Sequence, residues 1–408
     1  MLTTRRELFT RLAVGASLGA GHLVRARPAT AQQVPDDLTG RIRADLVRHA
    51  SFGEKFSGGP GDNATADWIA GRLEKSGYRL DVSTFDAPFF AGREARLTAG
   101  RASADVVPQA PVVPTGRNGV SGRLSLIEGG AATFDVRDRI ALFVLPSGRH
   151  AALFPDRGIG QTVRQLAAGG ARAIVMVTTG PSGEAVALNC PEEPFVPVPA
   201  AVLAPRHADP LVTAARAGAE ATLVVDGDAT HRPSKNLVAR VERGDRWIVM
   251  STPRSGWYGC VAERGTGTAA LLELADWAVR RFPDLSIFLM NTGGHEYFFA
   301  GSHRVLDQAP PPEQTRVWAH IGATLAAREA AAQGFQGLSG LETPGRVRPG
   351  AGELSAFTDR GYSSAFAVIG VHRWFHTVED TLDRVDAALV TPVVRAHQRT
   401  IERLATVS

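Results

Sequence analysis

The chain has 408 residues, 44% of them hydrophobic and 21% charged, which is the composition of an ordinary globular protein long enough for two domains. Its 45 basic and 41 acidic residues give a formal charge of +4, but the first 31 residues hold five of the arginines and one of the glutamates, so the remainder is balanced. No basic run with interleaved aromatics occurs, which argues against nucleic acid and gives no electrostatic reason for an acidic membrane partner. With only Cys190 and Cys260, the fold must be held by its core and not by a disulfide framework; in an oxidising compartment the two form one candidate pair.

Residues 1–31 place Arg5 and Arg6 ahead of an apolar stretch, Leu12 to Leu23, and end in small residues around Ala31. This resembles a twin-arginine export signal cleaved after Ala31, and it predicts a periplasmic or secreted protein. The apolar stretch is too short and too rich in Gly and Ala to span a bilayer comfortably, so no membrane span is expected after cleavage.

In "GDNATADWIAGRLEKSGYRL", Ala66, Ile69, Ala70 and Leu73 recur at helical spacing, with Asp62 or Asn63 as the expected cap. From Val107 to Asp228 the texture changes to short β-branched runs, "RIALFVL", "ARAIVMV" and "ATLVVDG", separated by Gly, Pro and Ala-rich stretches. The later runs "RWIVM", "SIFLM", "VWAHI" and "SAFAVIG" are continuously apolar and alternate with helical stretches. That pattern predicts an α/β protein, a mostly parallel or mixed sheet flanked by helices, carrying a smaller αβ lobe. Sites in such sheets lie at the carboxyl ends of strands, which puts Thr252 to Ser255, Gly294 to Glu296 and His320 to Gly322 on one rim.

Four landmarks appear in order: "SKNLVARV", "VAERGTGTAALLELADWA", "SIFLMNTGGHEYFFAGS" and "FHTVEDTLDRVD". Together they resemble the co-catalytic zinc aminopeptidases, the family of glutamate carboxypeptidase and transferrin receptor relatives. The resemblance implies a zinc aminopeptidase-like domain over residues 32–106 and 229–408, with 107–228 as an inserted protease-associated-like domain. In that family a histidine and an aspartate follow the first strand of the site; here Pro253 and Ser255 stand in those places. The bridging aspartate corresponds to Glu263, with Arg264 after it. The general-base glutamate corresponds to His295, the next ligand is retained as Glu296, the later aspartate ligand aligns with Gly322 beside His320, and the last histidine ligand is His376.

Three ligand-type residues remain, Glu263, Glu296 and His376, the candidate metal set for one zinc or another divalent ion, which His295 or His320 would complete. Alternatively no metal binds, and Arg254 and Arg264 supply the positive charge that Glu263 and Glu296 need. His295, Arg254 and Arg264 are the catalytic candidates; His320, Trp374, Ser355 and Arg360, with Asp359, are candidates for contact with a small-molecule or peptide-like ligand. A metal-free route through Cys260, with His295 or His376 as base and Asp380 nearby, is a further reading; Ser255 and Ser302 lie in no nucleophile-elbow pattern. Two function classes stay open: an exported hydrolase of amide or peptide-like bonds through a mononuclear-metal or metal-free site, and a catalytically silent binding protein with arginines replacing the metals. The sequence sets no oligomeric state.

Overall fold

A computed structural model describes residues 37–129, 134–148, 150–322, 325, 352–368 and 372–406. The export-signal reading of residues 1–31 lies outside them. In chain order the elements are α1 (Leu38–Ser51), α2 (Pro60–Lys75), β1 (Arg79–Ala99), β2 (Ala102–Asp105), β3 (Val107–Pro108), β4 (Gly116–Glu128), β5 (Ile140–Val144), α3 (Gly158–Ala168), β6 (Ala173–Val177), β7 (Ala200–Leu203), α4 (Ala208–Arg216), β8 (Glu220–Val241), β9 (Trp247–Pro253), α5 (Thr266–Arg281), β10 (Ser286–Thr292), α6 (Ala300–Val305), β11 (Thr315–Ile321), α7 (Leu354–Thr358), β12 (Ala365–Val368) and α8 (Ala387–Thr406).

The apolar runs are strands with both faces covered, as their unbroken hydrophobicity requires. On β9, β10 and β11 alternate residues enter opposite cores: Ile248, Met250, Ile287, Leu289, Val317 and Ala319 pack under α1, α2, α5 and α8. Val249, Phe288, Met290 and Trp318 pack on the other face with Leu306, Leu354 and Phe357. The two-residue repeat of a strand therefore decides which face each side chain serves. It also places Ser251 and His320, at the ends of two of these strands, on the Trp318 face.

Strands β12, β11, β9 and β10 run parallel, and β10 continues antiparallel into β8. The expected mixed α/β sheet flanked by helices is thus the observed architecture. Strands β4, β5, β6 and β7 form a second parallel set, again apolar on both faces, within residues 107–228. What joins the two sets is a long antiparallel ribbon: β1 pairs with β8 from Arg79–Arg240 to Ala99–Ala221, with one irregularity between Gly92 and Glu94. No described helix is long and apolar enough to cross a membrane.

The capping expectation for α2 needs correction. Gly59 and Pro60 open the helix, Pro at its first position needing no partner for a missing N–H, and Asp62 lies in the first turn with its carboxylate turned inward to other partners. Gly61, just before it, packs so tightly that an added methyl would meet the carbonyl oxygens of Glu54 and Phe52, whereas Gly71 on the same helix has open space. We expect Gly61→Ala to destabilise by about 2 kcal/mol or more and Gly71→Ala to stabilise by about 0.5–1 kcal/mol, as read by urea unfolding of the two variants.

Candidate functional site

The rim where β9, β10 and β11 end holds two arginines that do different things. Arg254 follows Pro253 directly and is wholly buried; its Nε meets Asp62 Oδ1 at 2.7 Å, Nη1 donates to Asn291 Oδ1 at 3.0 Å, and Nη2 donates to the Lys235 carbonyl at 2.5 Å. The other oxygen of Asp62 accepts from Ser234 Oγ at 3.0 Å and from the Gly58 amide at 3.1 Å. Every nitrogen of that guanidinium is engaged, so Arg254 ties α2, β8 and β10 together.

Arg264 sits in a tight turn of the π type, Val261–Gly265, that leads into α5. Asp380 caps that turn, its two oxygens accepting from the amides of Ala262 at 2.7 Å and Glu263 at 3.0 Å. With the turn fixed, Arg264 Nε donates to the Ser255 carbonyl at 2.9 Å, Nη2 lies 2.7 Å from Glu263 Oε1, and Nη1 has no hydrogen-bond partner. On the far side of Glu263, His376 Nε2 approaches the same oxygen to 3.3 Å. Burial would push the Glu263 carboxyl up, but the Arg264 charge, followed by His376, holds it down at about 2.

Glu296 stands apart from this pair. Its Oε2 accepts from Ser255 Oγ at 2.6 Å and its Oε1 from the Ser57 amide at 2.9 Å, while burial raises its proton affinity. The arginine expected to neutralise it pairs with Asp62 instead. A third carboxylate, Glu353, completes the cluster: its Oε2 lies 3.4 Å from His295 Nδ1 and 3.6 Å from His320 Nε2, and its Oε1 accepts from Ser302. His320 is oriented from behind by Ser251 Oγ at 2.9 Å, which itself accepts from Trp318 Nε1 at 2.8 Å. Burial, reinforced by the Arg264 guanidinium, pushes His295 below its ordinary value, with Glu353 opposing. It is therefore a neutral imidazole at neutral pH, and at 16% side-chain exposure it is the most accessible member of the cluster.

Residues 107–228 close one side. The Ala187 amide donates to the His376 carbonyl at 2.9 Å, the Ala187 carbonyl bonds His376 Nδ1 at 2.9 Å, the Cys190 amide donates to the Glu296 carbonyl at 3.1 Å, and Trp257 Nε1 donates to Asn189 Oδ1 at 2.8 Å. The Nδ1 bond leaves Nε2 of His376 directed at Glu263. The rim is also where the backbone is strained. Among the described residues the non-glycine positive φ angles are at Tyr258, Cys260, Phe298, Phe299 and His376, all flanking the cluster, and at Asp138 elsewhere.

The site residues read from the sequence thus divide. Glu263, Arg264, His295, His320 and His376 come together; Arg254 and Glu296 are adjacent but have other partners. Trp374 is covered by Arg384 and Arg373, Ser355 bonds the Gly352 carbonyl in its own turn, and Arg360 forms a surface ion pair with Asp307. The residue of that last segment that reaches the cluster is Glu353, two positions before Ser355, which periodicity did not single out. Both cysteines are free and buried, and burial pushes the Cys260 thiol well above its ordinary value, which disfavours the metal-free route through Cys260.

Among the described residues no group of three or more His, Cys, Asp or Glu side chains is placed to hold a metal ion. The donor chemistry gives the reason: the carboxylate in the bridging place faces a guanidinium at 2.7 Å, and a dication beside that group would be repelled. The residues present do not fit a zinc centre.

No family model matches the chain, and no curated protein matches it in sequence. Solved structures do match. An aminopeptidase from Aneurinibacillus sp. strain AM-1 is 18% identical with a TM-score of 0.66, covering 90% of this chain and 93% of that one. The zinc aminopeptidase BSAP from Bacillus subtilis is 15% identical with a TM-score of 0.69, covering 90% and 94%. A peptidase M28 precursor from Shewanella amazonensis SB2B is 15% identical with a TM-score of 0.70, covering 91% and 96%. At these identities the likeness carries the fold, which is zinc aminopeptidase-like.

Two outcomes follow from the charges. Arg254→Met, which strands the Asp62 carboxylate, is expected to cost about 3–5 kcal/mol, and the double variant Asp62→Leu/Arg254→Met to recover part of it in a denaturant double-mutant cycle. Acid should also destabilise the fold: burial holds His320 and His397 at about 4 and His49 well below its ordinary value of 6.5. These imidazoles are less basic folded than unfolded, so the unfolded chain takes up protons first below about pH 6.5, and stability falls from there towards about pH 4. Asp45, raised to about 6 chiefly by burial, works in the opposite direction. His320 and His397 then each cost about 2 kcal/mol at pH 5, and His397→Leu should narrow the gap between urea midpoints at pH 7 and pH 5 accordingly.

Proposed function

We infer that the chain is a divergent relative of the peptidase fold whose site works without a resident metal and binds an amide- or peptide-like ligand beside His295, after export by the twin-arginine route, with residues 107–228 acting as a protease-associated-like wall over that site. The observation that carries this reading is the Arg264–Glu263 contact: a fixed guanidinium neutralises the carboxylate that would bridge metals in the resembling family. Arg264 Nη1, which has no hydrogen-bond partner, and the partly open imidazole of His295 supply polar groups suited to such a ligand.

One observation favours hydrolysis as a second reading. His295 is neutral, partly open and backed by Glu353 at 3.4 Å, the arrangement a general base needs to take a proton from water. Arg264 would then face the oxygen on which negative charge develops, and Glu353 would stabilise the imidazolium that forms.

Elemental analysis of the mature protein, purified without chelator or affinity-tag metal, separates these readings from a metallopeptidase. We expect substoichiometric metal and no change in thermal midpoint with chelator or added zinc. One equivalent of metal, lost in both Glu263→Gln and His376→Ala, would overturn metal independence. On a panel of amides and peptides, turnover that survives chelator and disappears in His295→Ala supports the hydrolase; binding without turnover supports the silent protein.

A further inference from the structure

A cavity of about 360 Å³ lies beside the candidate site, between the β1–β8 ribbon and residues 107–112 and 187–188. It shares the Ala187–Leu188 wall with the segment that holds His376, but none of the buried charged residues of the cluster lines it. Its walls are aromatic. Phe56 packs edge-on against Trp257 and Tyr258, Trp257 packs edge-on against Tyr297, and Phe89 and Phe90 face in from the ribbon.

The polar groups around this cavity are unequally used. Two donors are spent inside the wall, Trp257 Nε1 on Asn189 and the Tyr297 hydroxyl on the Pro88 carbonyl at 3.0 Å, while Tyr258 also lines the cavity and its hydroxyl is not among them. Arg93, the one cation lining the cavity, is held by Asp226 at 2.9 Å and Asp228 at 2.6 Å. The acceptors remain. Gln109, only 5% exposed, directs its amide nitrogen to the carbonyls of Ala110 and Leu188, each at 2.8 Å, which leaves Oε1 buried with no partner. Glu54 and Glu94 line the exposed side; the nearest cation to Glu94 is Arg96 at 3.8 Å. Ring faces attract cations, as Arg232 over Phe89 at 3.9 Å already shows.

We propose that this cavity is a binding site for an organic cation, an amine with an apolar or aromatic body, whose body fills the ring-lined space and whose N–H groups meet Gln109 Oε1 and the Glu54 and Glu94 carboxylates. A buried unpartnered acceptor, two carboxylates at the edge and aromatic walls select the same ligand chemistry, and the volume falls within the range of small-molecule pockets.

Calorimetric titration of the mature full-length chain at pH 7 tests this with three probes of one shape: phenethylamine, 2-phenylethanol and 3-phenylpropionate. We expect a single site for the amine, with affinity about ten-fold or more above the alcohol and the acid. The surface double variant Glu54→Gln/Glu94→Gln should remove most of that preference, and Gln109→Leu should weaken the amine more than the alcohol. Absence of saturable amine binding, equal affinity for the acid, or an unaltered amine affinity in the glutamate double variant overturns the proposal. Because both glutamates are exposed, that variant decides the matter even if Gln109→Leu fails to fold.

Discussion

The site is organised around a charge constraint: a carboxylate buried near the strand ends needs a compensating partner, and for Asp62 and Glu263 that partner is arginine. Asp62 and Arg254 are both fully buried and joined at 2.7 Å, and each remaining polar atom of the two side chains has a partner. A buried pair is a poor source of net stability, because desolvating two ions consumes most of the attraction. Its value lies in what it forbids. Any packing that separates α2 from the ends of β8 and β10 strands two charges in the interior, so the pair fixes the relative placement of those elements.

Arg264 and Glu263 meet the same constraint less completely. Arg264 keeps one amino group unbonded, Glu263 forms ion contacts without an aligned hydrogen bond, and the neighbouring His295 and Glu353 meet only loosely at 3.4 Å. The contrast between a saturated pair and an unsaturated one, both at the same strand ends, is what distinguishes scaffold from site here. Unsatisfied buried groups cost free energy, and they persist where a ligand or water completes them. The left-handed residues on either side of the unsaturated pair fit that division, since strained backbone persists where surrounding packing over-determines it.

Much of this was legible in the chain itself. Continuous apolar runs specified strands covered on both faces, and the strand ends specified the rim that carries Ser255, His295 and His320, whereas Arg264 and His376 were placed there only by the family resemblance. The family resemblance set Pro253 and Ser255 in ligand places, where a pyrrolidine ring cannot ligate a metal whatever the fold. Partner choice was not legible. Arg254 reaches across 192 positions to Asp62 and not to Glu296, and no local pattern ranks one distant carboxylate over another. Glu353 escaped notice for the same reason: a single acid ahead of the short helix α7 looks like any solvated loop residue until the fold sets it against two imidazoles.

The segment 187–190 shows how a wall takes part in the chemistry it encloses. By accepting from His376 Nδ1, the Ala187 carbonyl fixes which ring nitrogen faces Glu263, and the Cys190 amide holds the backbone from which the Glu296 side chain departs. On the wall's side these bonds come from main-chain atoms, while the Ala187 and Cys190 side chains are buried in the core of the lobe. His376 is itself left-handed, and that bend lets its carbonyl and its ring nitrogen engage the same residue of the wall. A displacement of this wall by a ligand in the neighbouring aromatic cavity would therefore reach His376 through two hydrogen bonds, with no need for a longer path.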